Sequence, residues 1–477
     1  MVDGSETGSP VQPDGAARVL ELGLAATVIL GPFPFGAIAP PGRLALELGA
    51  LGLLLVWLGR SLFRPTPLPS KPVQIALAGL LMLGALQSVP LGEFLVGRIS
   101  PHAVAIRVDS LPPAEALDAE RRLLGREPGA LDPPATLSLD PGATASALRT
   151  GSALTALVLV ATTVAAICGV RRIAFALLFS AAFQGLYGLL VVAAGHDRIW
   201  NVPKRYFLDE ATGTYVNPNH FAGLLAMALP CGVALVYDNL GRNRPAEQGR
   251  RLAAWFSTDG SRNWLLGLLV LIGLAGLLLS YSRAGIALGV SAVGLTLLTA
   301  GRSPGLKLRL IVTVLVIAVA VTPLMQVGVD RLLQTYANSP NELHGARARV
   351  WLDSFSLVAA QPLVGCGFGA FSASYPLVRS PEVRFFFAHV HNDLLQLLTE
   401  GGAVGLLLLL LLLIPLLDQM VRSIGGAKGT LAVGVAAGLV AVMLHSLVDF
   451  PFHMPANAAV AAILAGSLLG LPWKHRV

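Results

Sequence analysis

Long apolar runs separated by polar loops repeat along almost the whole chain. A helix needs about 20 consecutive apolar residues to cross the hydrocarbon core of a bilayer. Twelve runs come close to that length: 18–38, 44–63, 73–92, 148–169, 173–194, 218–237, 263–281, 284–300, 309–327, 389–417, 429–447 and 455–472. The pattern predicts an all-α integral membrane protein with about twelve transmembrane helices, and a polytopic membrane domain over residues 18–472.

Composition agrees with this prediction and excludes a soluble globular protein. Of the 477 residues, 54% are hydrophobic and only 13% are charged, and the mean hydropathy is +0.69. Residues 1–17 are rich in Gly, Ser, Pro and acidic residues, which predicts a disordered cytoplasmic tail. The first apolar run is long enough to be a span, so we expect no cleaved signal peptide. The three cysteines show neither metal-site nor disulfide spacing.

Basic residues in the short loops predict the orientation. Cytoplasmic loops carry an excess of Lys and Arg, and with twelve spans the basic residues of the short loops fall on one side. Both termini are then cytoplasmic. The long loops 93–147 and 328–388 lie outside, together with loop 195–217, and short helices are expected in the largest outer loop. The pI of 9.6 mostly reflects this bias, so nucleic acid is not an expected partner.

The most informative stretch runs from His389 to Gly402, where a polar loop opens directly into the apolar run Ala403–Leu417. It places His391 and Glu400 close to a predicted water–lipid boundary. Polar and titratable groups at such a depth cost free energy unless they have partners or a task. A catalytic role for His391 and a simple interfacial position are the alternatives that this pattern leaves open.

A second group of polar residues lies in the predicted outer loop 195–217 and at its end. Asn217 is a good helix N-cap because a proline follows it in the first helical position. The N-terminus of that helix carries Asn219 and His220, and the basic pair Lys204 and Arg205 lies just upstream. A helix N-terminus with cations beside it can bind an anion.

Three further charged residues are candidates. Two lie in short outer connections, and the third lies in the long outer loop 328–388. Arg283 lies in the very short connection between two apolar runs, which holds it at the outer bilayer boundary. A snorkelling interface arginine is the alternative. Asp449 lies in the short outer turn between the last two runs, near the expected level of His391. A soluble helix is predicted to begin at Arg347.

Five motifs follow one another between residues 200 and 420. They are Thr214-Tyr215-Val216-Asn217-Pro218-Asn219-His220-Phe221-Ala222, Ser282-Arg283-Ala284-Gly285, Arg347 four residues before Trp351, Gln361-Pro362-Leu363-Val364-Gly365-Cys366-Gly367, and His391-Asn392 followed by Leu395, Glu400 and Gly402. Taken together, they resemble the bacterial O-antigen ligase and O-antigen polymerase superfamily. The flanking spans agree with that superfamily only in character.

The resemblance implies a multi-pass enzyme of the bacterial inner membrane, glycosyltransferase C-like in fold, with its active site facing the periplasm. It implies a glycan donor on undecaprenyl diphosphate, a glycan or glycolipid acceptor, and no cofactor. The family's histidine at the head of the late span corresponds to His391, and one family arginine corresponds to Arg283. A second family arginine corresponds to Arg205, with Lys204 beside it.

The chemistry of such a transfer requires these residue types. Displacing a lipid diphosphate needs cations, and Arg can hold a phosphate through two parallel hydrogen bonds. The acceptor hydroxyl needs a base, for which His is the commonest side chain. We therefore predict His391, Arg283 and Asp449 as catalytic residues, with Asp449 orienting the imidazole of His391. The predicted diphosphate-binding residues are Arg205, Lys204, Arg283, Arg347, Asn219 and His220.

Two other roles for the residues around His391 are not expected, namely a metal site and an orienting role for Glu400. A metal site is not predicted, because His389 and His391 have no third ligand at a suitable spacing. Glu400 is unsuited to orient His391, since nine residues along a straight helix place it about 180° round and about 13 Å away. We expect Glu400 to fix a break in the helix at Gly401-Gly402 instead.

The expected function is that of an exopolysaccharide or O-antigen polymerase. An O-antigen ligase, which transfers glycan to lipid A-core, is the nearest alternative because it uses the same donor. Loop 98–147 is nearly balanced in charge and loop 328–388 is only mildly basic, which favours the polymerase over an enzyme that admits a bulky anionic glycolipid. A small-solute transporter is the alternative of another class. The lack of an acidic residue in the middle of any predicted span counts against it.

Overall fold

The computed structural model describes residues 13–110, 122–123, 136–242, 258–299, 341–425 and 428–472. Helices dominate these residues, and they are numbered here in chain order. They are α1 (Gly15–Leu30), α2 (Pro40–Ser61), α3 (Lys71–Ser88), α4 (Glu93–Ile99), α5 (Pro101–Ser110), α6 (Pro141–Cys168), α7 (Arg171–Ala193), α8 (Pro218–Arg242), α9 (Thr258–Leu279), α10 (Arg283–Thr299), α11 (Asn341–Ala360), α12 (Phe371–Ser374), α13 (Asp393–Ile424), α14 (Thr430–His445) and α15 (Pro455–Gly470). Short 3-10 turns cover Phe35–Ala37, Tyr375–Leu377 and Pro451–His453.

The helices confirm an α-helical protein with membrane-spanning character. Within the described residues, 6 helices are long and apolar enough to cross a bilayer, namely α2, α6, α7, α8, α9 and α13. Three shorter helices, α10, α14 and α15, are also apolar. Every predicted apolar run except 309–327, which lies outside the described residues, coincides with a helix. The count of twelve spans stays a prediction.

Several boundaries differ from those predicted from the sequence. Helix α1 begins at Gly15, because the side chain of Asp14 accepts a hydrogen bond from the N–H of Ala17 (2.8 Å) and caps it. The last residues of the predicted tail 1–17 are therefore helical. Helix α6 begins at Pro141, well before the predicted span start at 148. The described part of loop 93–147 contains α4 and α5, and one two-residue antiparallel ladder pairs Arg198–Ile199 with Val202–Pro203.

The chain divides into two compact units. The first comprises the described residues of Met1–Lys71, Ala153–Ala337 and Ile414–Val477, and the second those of Pro72–Ser152 and Asn338–Leu413. In the first unit α8 lies against α14, where small residues allow a close approach. A Cβ atom on Gly434 would lie 2.6 Å from the carbonyl oxygen of Pro230. The backbones therefore meet directly at this interface.

Ion pairs gather helix ends at one end of the first unit. Arg60, in the last turn of α2, lies 2.9 Å from Asp14 at the start of α1. Arg172, in the first turn of α7, contacts the buried carboxylate of Glu21 in α1. The basic residues that set the predicted orientation at these helix ends therefore lie on one side of this unit.

The opposite end of the first unit holds the loop that leads into α8. The hydroxyl of Thr214 donates to the carbonyl of Pro32 (2.7 Å), and the N–H of Ala211 donates to the carbonyl of Leu279 (2.9 Å). The buried hydroxyl of Tyr215 donates to Oδ1 of Asn457 in α15 (2.8 Å). Loop 195–217 is thus bound to three other helix ends of the same unit.

The second unit is built around a break in α13. Gly402 adopts φ 60° and ψ −160°, a region that is accessible essentially only to glycine. The N–H groups of Ala403 and Val404 donate to the carbonyls of Pro362 (2.8 Å) and Leu363 (3.0 Å). The loop after α11 thereby replaces part of the interrupted hydrogen bonding of the helix. The break predicted at Gly401-Gly402 is confirmed.

We expect Gly402→Ala to destabilise the protein by at least about 2 kcal/mol, because an L-residue is strained in this backbone conformation. Its Cβ atom would also lie 2.5 Å from the backbone carbon and oxygen of Leu363. Gly405→Ala in the same helix is the matched control, since the nearest atom to its Cβ would be 3.7 Å away. The measurement is the melting temperature in detergent. Equal melting temperatures for the two variants would contradict this role of Gly402.

Candidate active site

His391 lies at the end of the loop that enters α13 and is held in an unusual backbone conformation. Its φ is +59°, in the left-handed region. This conformation costs about 1–3 kcal/mol for a non-glycine residue and clusters at functional sites. The imidazole is half-buried and lies edge-on to the ring of Phe387, with 5.7 Å between the ring centroids. Asn392 follows, and its side chain caps α13 by accepting from the N–H of Leu395 (3.0 Å).

Arg347 lies on the helix that supports the residue before His391. It is half-buried in α11, one turn before Trp351 and therefore on the same helical face. The indole N–H of Trp351 donates to the carbonyl of Val390 (3.0 Å). The predicted helix is confirmed, but it begins at Asn341, six residues before the predicted start at Arg347. Within the second unit, Arg347 and His391 belong to one neighbourhood.

Glu400 fixes the glycine-rich turn that follows α11. Its buried carboxylate accepts hydrogen bonds from the N–H groups of Gly369 (2.9 Å) and Phe371 (3.3 Å). Its backbone carbonyl accepts from the N–H of Gly367 (3.0 Å) and from Nε2 of Gln87 (2.9 Å). The glycine-rich turn is therefore a support for α13, in agreement with the prediction that Glu400 has a structural task.

In the first unit, the predicted start of α8 is confirmed in detail. The side chain of Asn217 accepts a hydrogen bond from the N–H of Asn219 (2.8 Å). This N–H is one of the groups at a helix start that have no partner within the helix itself. His220 is only 5% exposed, and its ring lies edge-on to Phe450 at 4.7 Å. Its carbonyl accepts from Nδ2 of Asn457 (2.8 Å). His220 is thus part of the packing beneath the helix start.

The adjacent cations Lys204 and Arg205 have different surroundings. The ammonium of Lys204 donates to the carbonyl oxygens of Glu210 (2.6 Å) and Phe207 (3.3 Å). Burial lowers the pKa of Lys204 from its ordinary value, while the nearby carboxylate of Asp197 opposes that change. Arg205 is exposed. Lys204 therefore holds its own loop together, whereas Arg205 presents its side chain to the surroundings. The prediction that both residues bind a diphosphate stays a prediction.

Arg283 is the first residue of α10 and is half-buried. The turn before it is tight: Tyr281 has φ +50°, and the hydroxyl of Ser282 accepts from the N–H of Gly285 (3.3 Å). Gly285 lies so close to Ala222 in α8 that a Cβ atom would clash with it. The start of α10 is therefore packed directly against the first turns of α8.

Asp449 lies in the turn between α14 and α15 at the same end of the first unit. It is 2% exposed, and its N–H donates to the carbonyl of His445 (3.0 Å). One carboxylate oxygen accepts from the N–H of Phe450 (2.9 Å), the residue that packs on His220. Asp449, His220 and Arg283 therefore share one end of the first unit.

The predicted site residues divide between the two units. The first unit contains the groups around the start of α8, namely Lys204, Arg205, Asn219, His220, Arg283 and Asp449, and the second contains His391 and Arg347. The pairing of Asp449 with His391 stays a prediction. Among the described residues, no group of three or more His, Cys, Asp or Glu side chains is arranged to hold a metal ion.

Three polar residues of these neighbourhoods were not predicted from the sequence. Asn457 and His445 are buried at the loop end of the first unit, and Gln396 is buried between His389 and Glu400 in the second. A signal was available for Gln396, which lies four residues before Glu400 on one face of a largely apolar helix. The sequence contained no comparable signal for Asn457, because its partners Tyr215 and His220 are more than 200 residues away along the chain.

A known protein family matches one segment of the chain. Residues 268–410 match the family model described as O-antigen ligase. The resemblance to the O-antigen ligase and polymerase superfamily is thereby confirmed for this segment. No curated protein matches the chain.

The O-antigen ligase segment is narrower than the predicted 200–420 and covers less than a third of the chain. It contains Arg283, Arg347 and His391, together with the glycine-rich turn and the break at Gly402. The start of α8 and the turn with Asp449 lie outside it. The segment therefore includes the whole support of His391 but only one of the predicted cations of the first unit.

Proposed function

We propose that the protein is a membrane glycosyltransferase that moves a glycan from undecaprenyl diphosphate to an acceptor, as a polymerase of exopolysaccharide or O-antigen. The O-antigen ligase segment and the apolar helices support a membrane enzyme that transfers glycans. The proposed location is the bacterial inner membrane, with both termini in the cytoplasm and the active site facing the periplasm.

The observation that carries the proposal is the geometry of His391. It combines a left-handed backbone with a half-buried imidazole directly before an apolar helix, inside the O-antigen ligase segment. Histidine is the side chain that most often serves as a general base. We assign His391 as the base that takes the proton of the acceptor hydroxyl. Asp449 is proposed to orient the imidazole.

The cations are proposed to hold the leaving group. As the acceptor oxygen forms its bond to the anomeric carbon of the donor sugar, the bond from that carbon to the diphosphate oxygen breaks. The electron pair stays on the diphosphate, which the guanidinium groups of Arg283, Arg347 and Arg205 would stabilise. Asn219 and His220 lie at the start of α8, in the same unit as Arg283 and Arg205. Lys204 contributes by shaping the loop that carries Arg205.

The charge of the second unit supports a polymerase over a ligase. Arg349 is one of the exposed basic residues in the described part of loop 328–388, and it lies 3.7 Å from the carboxylate of Glu382 and donates to Ser380 (3.0 Å). The buried carboxylate of Asp353 accepts from the hydroxyl of Tyr375 and from the N–H of Ser380 (both 3.0 Å). Arg349 is thus partly neutralised by Glu382, whereas Asp353 is buried and holds the loop together. A surface that is only mildly basic favours an uncharged glycan acceptor over an anionic glycolipid.

The test is incubation of the purified protein with an undecaprenyl-diphosphate oligosaccharide, with separation of lipid and glycan products. We expect release of undecaprenyl diphosphate and longer glycans on the remaining lipid, with no effect of a chelator. Glycan that reaches only added lipid A-core would identify a ligase instead. Uptake of a solute by proteoliposomes with no released undecaprenyl diphosphate would replace the enzyme by a transporter.

A further inference from the structure

Val390, the residue before His391, is held at both its N–H and its carbonyl group. The N–H of Val390 donates to Oε1 of Gln396 (3.1 Å), and the carbonyl of Val390 accepts from the indole of Trp351 (3.0 Å). Val390 itself is fully buried in the core cluster of the second unit. The two bonds hold the two peptide groups on either side of Val390, and the second of these leads directly into His391. They therefore fix the direction from which the His391 backbone leaves the core.

Gln396 is in turn held by charged and polar partners. Its Nε2 donates to Oε1 of Glu400 (3.0 Å) and lies 3.1 Å from Nδ1 of His389. Since Glu400 also accepts from Gly369 and Phe371, the side-chain amide of Gln396 cannot turn without breaking several buried hydrogen bonds. Its carbonyl oxygen is therefore aimed permanently at Val390.

The buried network explains how His391 keeps a left-handed backbone. Such conformations persist only where the surroundings over-determine them, and here the residue before His391 is bonded at both ends while Asn392 after it caps α13. Gln396 bonds to Glu400 through its Nε2 and to the N–H of Val390 through its Oε1. The network links the glycine-rich turn to the histidine through one side chain.

We propose that Gln396 and Trp351 are positioning residues that hold His391 at the angle required for proton abstraction, with Glu400 as the anchor of Gln396. This proposal rests on the proposed function, because it takes His391 as the base. Neither residue contacts the substrate in this role. Both act by keeping the imidazole in one place, and a displacement of about 1 Å can cost about 100-fold in rate.

The first test is Gln396→Met, which keeps the length and bulk of the side chain but removes its three hydrogen bonds, to Val390, Glu400 and His389. We expect kcat to fall about 100-fold with the KM for the lipid-linked donor unchanged. Gln419→Met, near the other end of α13, is the matched control and should keep its activity. Trp351→Phe removes only the indole donor and should lower kcat in the same way, even if Gln396→Met folds poorly.

The second test separates positioning from a general structural role. In a His391→Asn background, Gln396→Met should lower the residual transfer no further, because a residue that acts through His391 has nothing left to position. A further loss in that background would overturn the proposal, as would wild-type kcat in both single variants. Full transfer by His391→Asn alone would refute the proposed base instead, so the two failures are distinguishable.

Discussion

His391→Asn will lower kcat for glycan transfer by about 10²- to 10⁴-fold, the usual contribution of a general base. Asparagine is the appropriate replacement because it tolerates a left-handed backbone, which His391 adopts at φ +59°. The variant therefore keeps the entry into α13 while losing the group that accepts the proton. The measurement is single-turnover release of undecaprenyl diphosphate by protein of unchanged melting temperature.

His102→Ala is the matched control for this prediction. His102 is an exposed histidine of α5 in the same unit and has no part in the proposed site. Its replacement should leave kcat within a factor of about two, as for surface substitutions in general. Transfer at the wild-type rate by His391→Asn would show that another group takes the proton.

Arg283→Lys is expected to lose about 10- to 100-fold in kcat, the worth of one or two hydrogen bonds to a charged group. Lysine keeps the positive charge and is nearly as good a helix former as arginine, so α10 should still begin at this residue. It cannot form the planar pair of hydrogen bonds that a guanidinium makes with a phosphate. Arg283→Gln should be impaired further because it also removes the charge.

The matched control for Arg283→Lys is Arg262→Lys. Arg262 is an exposed arginine near the start of α9. It should retain full activity at every donor concentration. If Arg283→Lys behaves like this control while Arg283→Gln is misfolded, Arg283 would be an anchor at the membrane interface. The binding of undecaprenyl diphosphate to both lysine variants gives an independent measurement of the same contact.

Three motifs that are separate along the sequence meet in the structure around the backbone that leads into His391. Trp351, the turn around Gly367, and Glu400 look unrelated along the sequence, yet all of them bond to one another or to the backbone beside His391. Gly365 packs so closely on the backbone of Glu400 that any side chain would clash there. These residues therefore support the backbone that leads into His391.

The sequence by itself determined the features that depend on neighbouring residues. The apolar runs predicted the helices, and Asn217 followed by a proline predicted the start of α8. The position of His391 before an apolar run predicted that it lies just before the start of a helix. Local hydrogen bonding and the length of a bilayer-spanning helix decide all of these. The resemblance to the O-antigen ligase family was visible for the same reason, since its motifs are short.

Only the tertiary structure decided what the polar side chains do. The ammonium of Lys204 bonds to carbonyls of its own loop, which its position beside Arg205 in the sequence did not indicate. Glu400 reaches Gly369 across 31 positions, and Trp351 reaches Val390 across 39. A side chain takes whichever partners the packed chain brings within about 3 Å, and periodicity carries no information about those distances. The left-handed backbone at His391 follows from the same distant contacts.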